Sequence, residues 1–357
     1  MIFGKPFFRI TGCFGAILCA VSGCRSENPA EFIRPPSVTE TQRMEAERLS
    51  KLWSADKECG MLLRERTRIA YAEAPDALSE RLRNFGVKCV YLTLENRGAL
   101  SGKGFSEILR TVTALGDAGL RCNLVLYPHE ILPERAHAAP LRWFSKDDPF
   151  SDLLDLAVRI NSRLPEKHPV CGITVWSGVH RLNLSHPRLP AGLLYRWDES
   201  DYGIGSDNDL LMQDFFRHLP DWKQKAAEHH LEFTVAVPSF YIERAGSGDL
   251  SVGNMSDFLK TADKVLVLGY GAKPSIYLQS LRKAFPGGHE TGRIQGRILC
   301  GMVLADHVSD NRESIRRRDW NDFVRILQAM HADLAQKPDF GGMVLMPFDG
   351  IELLLER

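Results

Sequence analysis

The feature that most constrains the fold is a series of eight short apolar segments, each separated from the next by a helical pattern. The segments are rich in Val, Leu and Ile and are mostly apolar at consecutive positions, which is typical of parallel strands covered on both faces. Eight such strands alternating with helices predict an α/β fold, a (β/α)8 TIM-type barrel. The predicted strands lie at residues 68–73, 87–94, 121–128, 170–176, 232–238, 264–270, 297–304 and 342–348.

The two ends of this series add detail to the barrel. Before the first strand, "SVTE" at 37–40 has the form of a capping box and predicts a helix that ends at about residue 53. After the last strand only "DGIELLLER" remains, so we expect a stunted eighth helix, with the N-terminal helix capping the barrel in its place. An open α/β sheet is the alternative, although no glycine-rich motif for a dinucleotide or a P-loop nucleotide follows an early strand.

Residues 1–24 differ from the rest of the chain. Lys5 and Arg9 are followed by an apolar, uncharged run, which is typical of a secretory signal and, at about a dozen residues, is too short to cross a bilayer. The stretch "VSGC" ends at Cys24 and resembles the lipobox of bacterial lipoproteins, in which the cysteine is acylated. An ordinary signal peptide that contains a cysteine and an uncleaved apolar tail are the alternatives.

These boundaries divide the chain into a signal peptide at 1–23, a lipidated tether at 24–37 and a single barrel domain with its N-terminal helix at 38–357. The lipobox resemblance implies an exported protein held in the bacterial cell envelope by lipid on Cys24. No aspartate follows that cysteine, which favours the outer membrane or the cell surface over the inner membrane.

The charge and the cysteines exclude several classes of function. The 45 basic and 45 acidic side chains balance, whereas a nucleic-acid-binding protein normally carries a basic excess. No Cys or His cluster has the spacing of a zinc site, so we expect neither a metal nor another cofactor. The barrel cysteines are expected to be free, buried thiols, with one incidental disulfide left open, and they are Cys59, Cys89, Cys122, Cys171 and Cys300.

Function in such a barrel collects where the strands end and run into the following loops. Aromatic side chains are frequent at those positions, and they suit a glycan, because the flat C–H faces of sugar rings stack on them while polar groups hold the hydroxyls. The alternative is that about half of these aromatics only pack loops onto the barrel. The predicted substrate-binding residues are Tyr71, Tyr127, Trp176, His180, Tyr241, Tyr270, Asp306 and Asp349.

Four segments resemble the chitinase-like, family-eighteen glycoside hydrolases and related barrel lipoproteins. They are "CGITVW" as the fourth strand, "HHLEFTVAVPSFY" as the fifth, "ADKVLVLGYG" as the sixth and "DFGGMVLMPFDG" as the eighth. The resemblance covers roughly residues 68 to 350. It implies that Tyr270, at the end of the sixth strand, matches the tyrosine that supports the substrate's N-acetyl oxygen in those enzymes.

The fourth strand departs from that family where its chemistry resides. Active members carry approximately D-G-I/V-D-I/L-D-x-E there, with the last glutamate protonating the leaving oxygen and the preceding aspartate assisting the N-acetyl group. In this chain Gly172 and Ile173 match, but the second and third aspartate places carry Thr174 and Trp176 and the glutamate place carries Gly178. General acid catalysis is worth about 10²–10⁴-fold, so the resemblance implies a pocket without its acid.

Three hypotheses of function follow. The first is a lipid-anchored, non-catalytic or degenerate glycan-binding barrel. The second is an active glycosidase on glycans that contain amino sugars, with a relocated acid, for which Glu130 and Glu243 are the candidate catalytic residues. The third is an envelope structural or assembly lipoprotein that presents the barrel surface to a protein partner.

Overall fold

The chain folds into a closed barrel of eight parallel strands in the sequential order β1 to β8, with β8 pairing back onto β1. The predicted TIM-type barrel is thereby confirmed. The structure is a computed structural model that describes residues 40–52, 57–94, 102–126, 149–167, 169–181, 197–269, 273–285, 296–303 and 320–355.

The strands are five to seven residues long. They are β1 (Glu58–Leu63), β2 (Cys89–Thr93), β3 (Arg121–Leu126), β4 (Val170–Trp176), β5 (Glu232–Pro238), β6 (Lys264–Leu268), β7 (Ile298–Val303) and β8 (Phe340–Met346).

The described helices lie before, between and after these strands. They are α1 (Glu40–Ser50), α2 (Glu65–Ala70), α3 (Pro75–Asn84), α4 (Gly102–Asp117), α5 (Pro149–Arg163), α6 (Asp207–Glu228), α7 (Ser239–Gly246), α8 (Met255–Thr261), α9 (Pro274–Lys283), α10 (Trp320–Leu334) and α11 (Phe348–Leu355). Within the described segments, no helix combines the length and the apolar character needed to cross a membrane.

Two apolar layers follow from the alternation of side chains along each strand. Outward-facing residues such as Ile173 and Val175 pack with the helices in the larger core cluster. Inward-facing residues such as Trp176 and Leu266 form a smaller cluster inside the barrel. The inward and outward positions of β4 are therefore fixed, which decides where each candidate residue of that strand points.

The predicted first strand at 68–73 is wrong. The first strand is β1, ten residues earlier, and residues 65–70 form the short helix α2. The sequence of this strand, "ECGMLL", differs from that of the other seven strands because it holds no Val, Ile or Thr. Gly60 is required by packing, because a Cβ there would lie 2.7 Å from a ring carbon of Tyr91.

The two terminal helices have the predicted character. The last helix, α11, has only eight residues. The N-terminal helix α1 contacts α3 and is tied to α10, because the indole N–H of Trp320 donates to the Glu45 carboxylate at 2.6 Å. Helix α1 thus packs on the outside of the barrel beside these two helices.

A network of charged side chains fills the N-terminal end of the barrel. The Glu58 carboxylate, only 7% exposed, accepts hydrogen bonds from the Tyr91 hydroxyl at 2.5 Å and from the Lys264 ammonium at 2.9 Å. Arg121 lies 3.4 Å from the same carboxylate, and Lys264 also pairs with Glu232 at 3.0 Å. Strands β1, β2, β3, β5 and β6 are joined by this one network.

We expect Glu58→Gln to lower the free energy of unfolding by about 3 kcal/mol, because it removes one partner of a buried ion pair. Asp117→Asn, which breaks an exposed pair with Lys167, is the control and should cost less than about 1 kcal/mol. Denaturant unfolding of both variants measures the difference. Equal costs for the two variants would contradict a stabilising role for the network.

The same network predicts the direction of a pH effect. Although burial opposes it, the carboxylates of Glu58 and Glu232 hold the pKa of Lys264 well above its usual value. A raised folded-state pKa means that this contribution is complete below the pKa of an unfolded lysine, about 10.4, and is lost as pH rises through the folded value. Denaturant unfolding between pH 8 and 11 should show a smaller alkaline loss in Lys264→Met than in the parent chain.

Candidate functional site

The candidate site lies at the carboxyl ends of β4 and β5, where the strands open toward the mouth of the barrel. Trp176 ends β4, a 3₁₀ turn over Val179–Arg181 follows, and α7 begins directly after β5. Trp176 pairs in register with Ala236, and β5 continues two residues further to Pro238, so the two strands end close to each other. Residues that follow them are therefore brought together at one part of the rim.

The inward positions of β4 carry no acid. Thr174 is fully buried and donates to the side-chain oxygen of Asn123 at 2.7 Å. Trp176 is 5% exposed and belongs to the cluster inside the barrel. Neither side chain can protonate a glycosidic oxygen at neutral pH.

Gly178 occupies a backbone conformation that favours glycine. Its φ is +41°, in the left-handed region, where a residue with a Cβ is strained by about 1–2 kcal/mol. A glutamate at this position would therefore strain the turn or take a different backbone path after β4. The absence of a carboxylate at position 178 is consistent with the shape of this turn.

His180 is the first titratable side chain after β4, and Tyr241 of α7 holds it. The Tyr241 hydroxyl accepts a hydrogen bond from the backbone N–H of His180 at 2.8 Å and lies 2.8 Å from its Nδ1. When the imidazole is neutral with its proton on Nε2, the hydroxyl donates to Nδ1. Through its contacts with the backbone N–H and with Nδ1, Tyr241 fixes the orientation of the imidazole ring.

The aromatic residues near His180 pack against one another. The ring of Trp197 lies 5.4 Å from Tyr241 and 6.2 Å from Phe240, and Phe240 meets His180 edge to face at 5.3 Å. Trp197 is 2% exposed and Tyr241 is fully buried, so neither offers a free face for stacking. The prediction that Tyr241 contacts substrate directly is therefore corrected, because its hydroxyl and its ring are both used to hold its neighbours.

The prediction that Tyr71 binds substrate is also corrected. It follows α2 instead of ending a strand, it is 4% exposed, and it packs in the layer between barrel and helices. Its hydroxyl donates to the Glu352 carboxylate of α11 at 3.2 Å. A substrate at the mouth does not meet this side chain.

The described candidate carboxylates are held by basic partners. Asp349, in the first turn of α11, pairs with Arg66 of α2, so it joins the region after β8 to the region after β1. Glu243 of α7 pairs with Lys283 of α9 at 3.0 Å, in an outer groove between those two helices. Glu243 is thereby directed toward a neighbouring helix, which argues against the predicted role as a relocated acid.

The remaining predicted residues lie outside the described residues. They are Cys24, Tyr127, Glu130, Tyr270 and Asp306.

Several buried polar residues within β3 and β5, and directly after β4 and β5, escaped the sequence analysis. Within the described part of the chain, the hydroxyls of Ser177 and Ser239 and the Oγ of Thr234 are buried without a hydrogen-bond partner, as is Nδ2 of Asn123. Groups of this kind are normally satisfied by ordered water or by a bound molecule. The sequence feature that could have identified these residues is a polar residue inside or just after an apolar strand, as in "CNLVL" and "EFTVAV".

Comparison with known proteins gives likenesses of fold. No family model matches the chain, and no curated protein matches it. Among solved structures, a GH18 chitinase from Pseudoalteromonas aurantia is 10% identical with a TM-score of 0.44, and the match covers 84% of this chain and 99% of that one. The PgaB (BpsB) glycoside hydrolase domain from Bordetella bronchiseptica is 12% identical with a TM-score of 0.46, over 83% of this chain and 95% of that one.

Fungal β-1,4-galactanases are 13% identical with a TM-score of 0.47, and the match covers 82% of this chain and 90% of the other. The chain thus resembles glycoside hydrolase barrels in fold. At these identities and TM-scores the likenesses carry no argument about chemistry. The chemistry of the site has to be inferred from the residues at the mouth of the barrel.

We expect Tyr241→Phe to lower the free energy of unfolding by about 1–3 kcal/mol, because the backbone N–H of His180 loses its acceptor. The variant should also shift the imidazole signals of His180 in an NMR titration. Tyr277→Phe is the matched control, since that buried hydroxyl donates to the Gly301 carbonyl at 2.7 Å on another strand. It should lose similar stability and leave the His180 signals in place, and a shift in both variants would count against a specific Tyr241–His180 link.

Proposed function

We propose that the chain is an exported, lipid-anchored glycoside-hydrolase-like barrel that binds a glycan at its C-terminal mouth and does not cleave it. The observation that carries this proposal is the make-up of β4. Its inward positions hold Thr174 and Trp176, and the strained position after them holds Gly178. A barrel of this kind uses the end of that strand for proton transfer, and these three residues cannot supply it.

The described carboxylates near the mouth support the non-catalytic part of the proposal. Glycoside cleavage normally requires a pair of carboxylates, or the substrate's own amide together with an acid. Asp349 is paired with Arg66 and Glu243 is paired with Lys283, so both carboxylates already have basic partners within the protein.

The glycan-binding part of the proposal rests on the mixture of groups at the rim. Phe240 is partly exposed and supplies apolar surface, and His180 is partly exposed and supplies a ring nitrogen held by Tyr241. Apolar surface with a few fixed polar groups is the general composition of a carbohydrate site.

Lipid anchoring is supported by the N-terminal sequence. A basic start, a short apolar run and small residues before Cys24 occur in the order that a lipoprotein signal requires. Residues 24–37 then provide a polar, proline-containing tether between the lipid and the barrel domain. A position at the outer membrane or the cell surface would place the mouth among envelope glycans.

We expect the chain from residue 26 onward to bind oligosaccharides that contain N-acetylglucosamine without releasing products. Calorimetry would measure binding and mass spectrometry would measure products. His180→Ala should weaken binding at least about tenfold, a loss of about 1.4 kcal/mol. His229→Ala, an exposed residue that follows α6 at the opposite end of the barrel, is the control and should bind as the parent does.

The other outcomes have distinct meanings. Products that disappear in Glu130→Gln would overturn the non-catalytic proposal and identify a relocated acid, and products unaffected by Glu243→Gln would agree with its pairing to Lys283. Absence of binding to any glycan, combined with capture of an envelope protein that loop-surface variants abolish, would favour an assembly role instead.

We also expect Cys24→Ser to abolish lipid attachment in a bacterial host. Acylation requires the thiol of that residue, so radiolabelled palmitate should enter the parent chain and not the variant. Cys19→Ser, which changes a cysteine inside the apolar run, is the control and should still be labelled. Labelling of Cys24→Ser would refute the lipoprotein assignment.

A further inference from the structure

Three polar side chains lie inside the barrel on neighbouring strands, below the mouth. Asn123 of β3, Thr174 of β4 and Thr234 of β5 are each at most 1% exposed. The residues on either side of each one belong to the core cluster outside the barrel. Because side chains alternate along a strand, all three polar side chains point into the barrel interior.

The strand register brings these three residues close together. Thr174 pairs with Thr234, and Asn123 pairs with Gly172, two residues before Thr174. The register of β3 and β4 shifts just before this point, at Cys171, a free thiol that packs against the interior cluster. The Thr174 hydroxyl donates to Oδ1 of Asn123 at 2.7 Å, so the Asn123 amide extends toward the pair of threonines.

Two polar atoms of this group lack a protein partner. Within the described part of the chain, neither Nδ2 of Asn123 nor Oγ1 of Thr234 makes a hydrogen bond. Nδ2 carries two N–H donors, and the Thr234 hydroxyl can both donate and accept. Buried polar atoms rarely stay in this condition, because leaving water without a replacement hydrogen bond is costly. Two such atoms, on the strands that flank Thr174, point to one molecule bound between them.

Gly172 allows the Asn123 amide to occupy this position. A Cβ on residue 172 would lie 2.8 Å from Nδ2 of Asn123 and 2.5 Å from the backbone oxygen of Glu232. Any side chain there would displace the amide. A glycine inside a strand often marks such a close approach, and here it keeps Nδ2 beside β4.

The dimensions of the site fit a single water molecule. Neighbouring strands lie about 4.8 Å apart, and a water that makes two hydrogen bonds of about 2.8 Å spans a distance of that size. A buried water typically makes about three hydrogen bonds, and Nδ2 of Asn123, the Thr234 hydroxyl and the Thr174 oxygen offer that number. Trp176, the next inward residue of β4, lies between this level and the mouth and is 5% exposed, which favours water over a larger molecule.

We propose that one ordered water molecule is bound inside the barrel between β3, β4 and β5, as a constant part of the fold. It accepts a hydrogen bond from Nδ2 of Asn123, donates one to the Thr174 oxygen and shares one with the Thr234 hydroxyl. This site is separate from the mouth and does not depend on the proposed glycan-binding function.

The water extends the polar interior of the barrel by one level. Thr234 pairs in register with Lys264, whose ammonium is bound by Glu58 and Glu232. Strands β3 and β5 are not neighbours in the barrel, so the water joins them across β4 where no backbone hydrogen bond can. It thereby holds β4 in place directly below Trp176.

A crystal structure of the full-length chain, at a resolution that shows ordered water, tests the proposal directly. The expected result is a peak of density within hydrogen-bond distance of both Nδ2 of Asn123 and Oγ1 of Thr234. Absence of density at this position, or a Thr234 hydroxyl bonded directly to another protein group, would overturn the proposal. Density too large for one water would overturn the assignment of the ligand.

The stability of Thr234→Val tests the same point in solution. With the water bound, the variant loses a hydrogen bond and leaves the water short of a partner, so the equilibrium constant for folding should fall about tenfold. Without the water, the Thr234 hydroxyl is a buried unpaired group, and replacing it by valine, which has a similar shape, should raise the constant instead. The sign of the change in denaturant unfolding therefore decides between the two.

Thr93→Val is the control for the loss of a hydroxyl. That buried side chain accepts a hydrogen bond from the backbone N–H of Glu65 at 3.2 Å, so the variant should be destabilised whether or not the internal water is present. Oxygen-17 relaxation dispersion detects water held inside a protein, and it should show one water fewer in Thr234→Val and no change in Thr93→Val. Equal water counts in the parent and both variants would refute the site, and the parent crystal structure remains decisive if Thr234→Val does not fold.

Discussion

The network of ion pairs and hydrogen bonds around the Glu58 carboxylate is the interaction on which the N-terminal half of the barrel depends. This carboxylate sits at the start of β1 and holds partners from β2, β3 and β6, while Lys264 extends the network to Glu232 of β5. Charged groups in a barrel interior are costly unless each finds a partner, so the five strands are constrained to one mutual register. Apolar layers then stack on this base up to Trp176.

This arrangement explains both the success and the one failure of the sequence analysis. Seven strands were recognisable because they read as apolar runs, as "VCGITVW" and "EFTVAVP" do. The first was missed because β1, "ECGMLL", holds no Val, Ile or Thr, which are the residues that favour a strand in sequence patterns. Its identity depends on cross-strand partners that no local window contains. The nearby "RIAYAE" has a strand-like composition but follows β1 so closely that it can only turn away as a helix.

The candidate site was predictable in position and less so in detail. That Trp176 and His180 follow β4 is evident from the order of the elements, and so is the absence of acids on that strand. The directions of the side chains in the following helices could not be predicted from the sequence. Tyr241 turns inward to His180 and Glu243 turns toward Lys283, although only one residue separates them, because one turn of α7 faces two different neighbours. Likewise, the inward thiol of Cys171 depends on a register shift that leaves no mark in the sequence.

The backbone at Gly178 bears on what a single substitution can do at the end of β4. Replacing glycine by glutamate alone would place a bulky side chain at φ +41°, at a cost of about 1–2 kcal/mol, and Trp176 would still fill the inward position before it. A single substitution at this turn therefore adds a carboxylate only together with backbone strain, and it leaves the neighbouring inward position apolar.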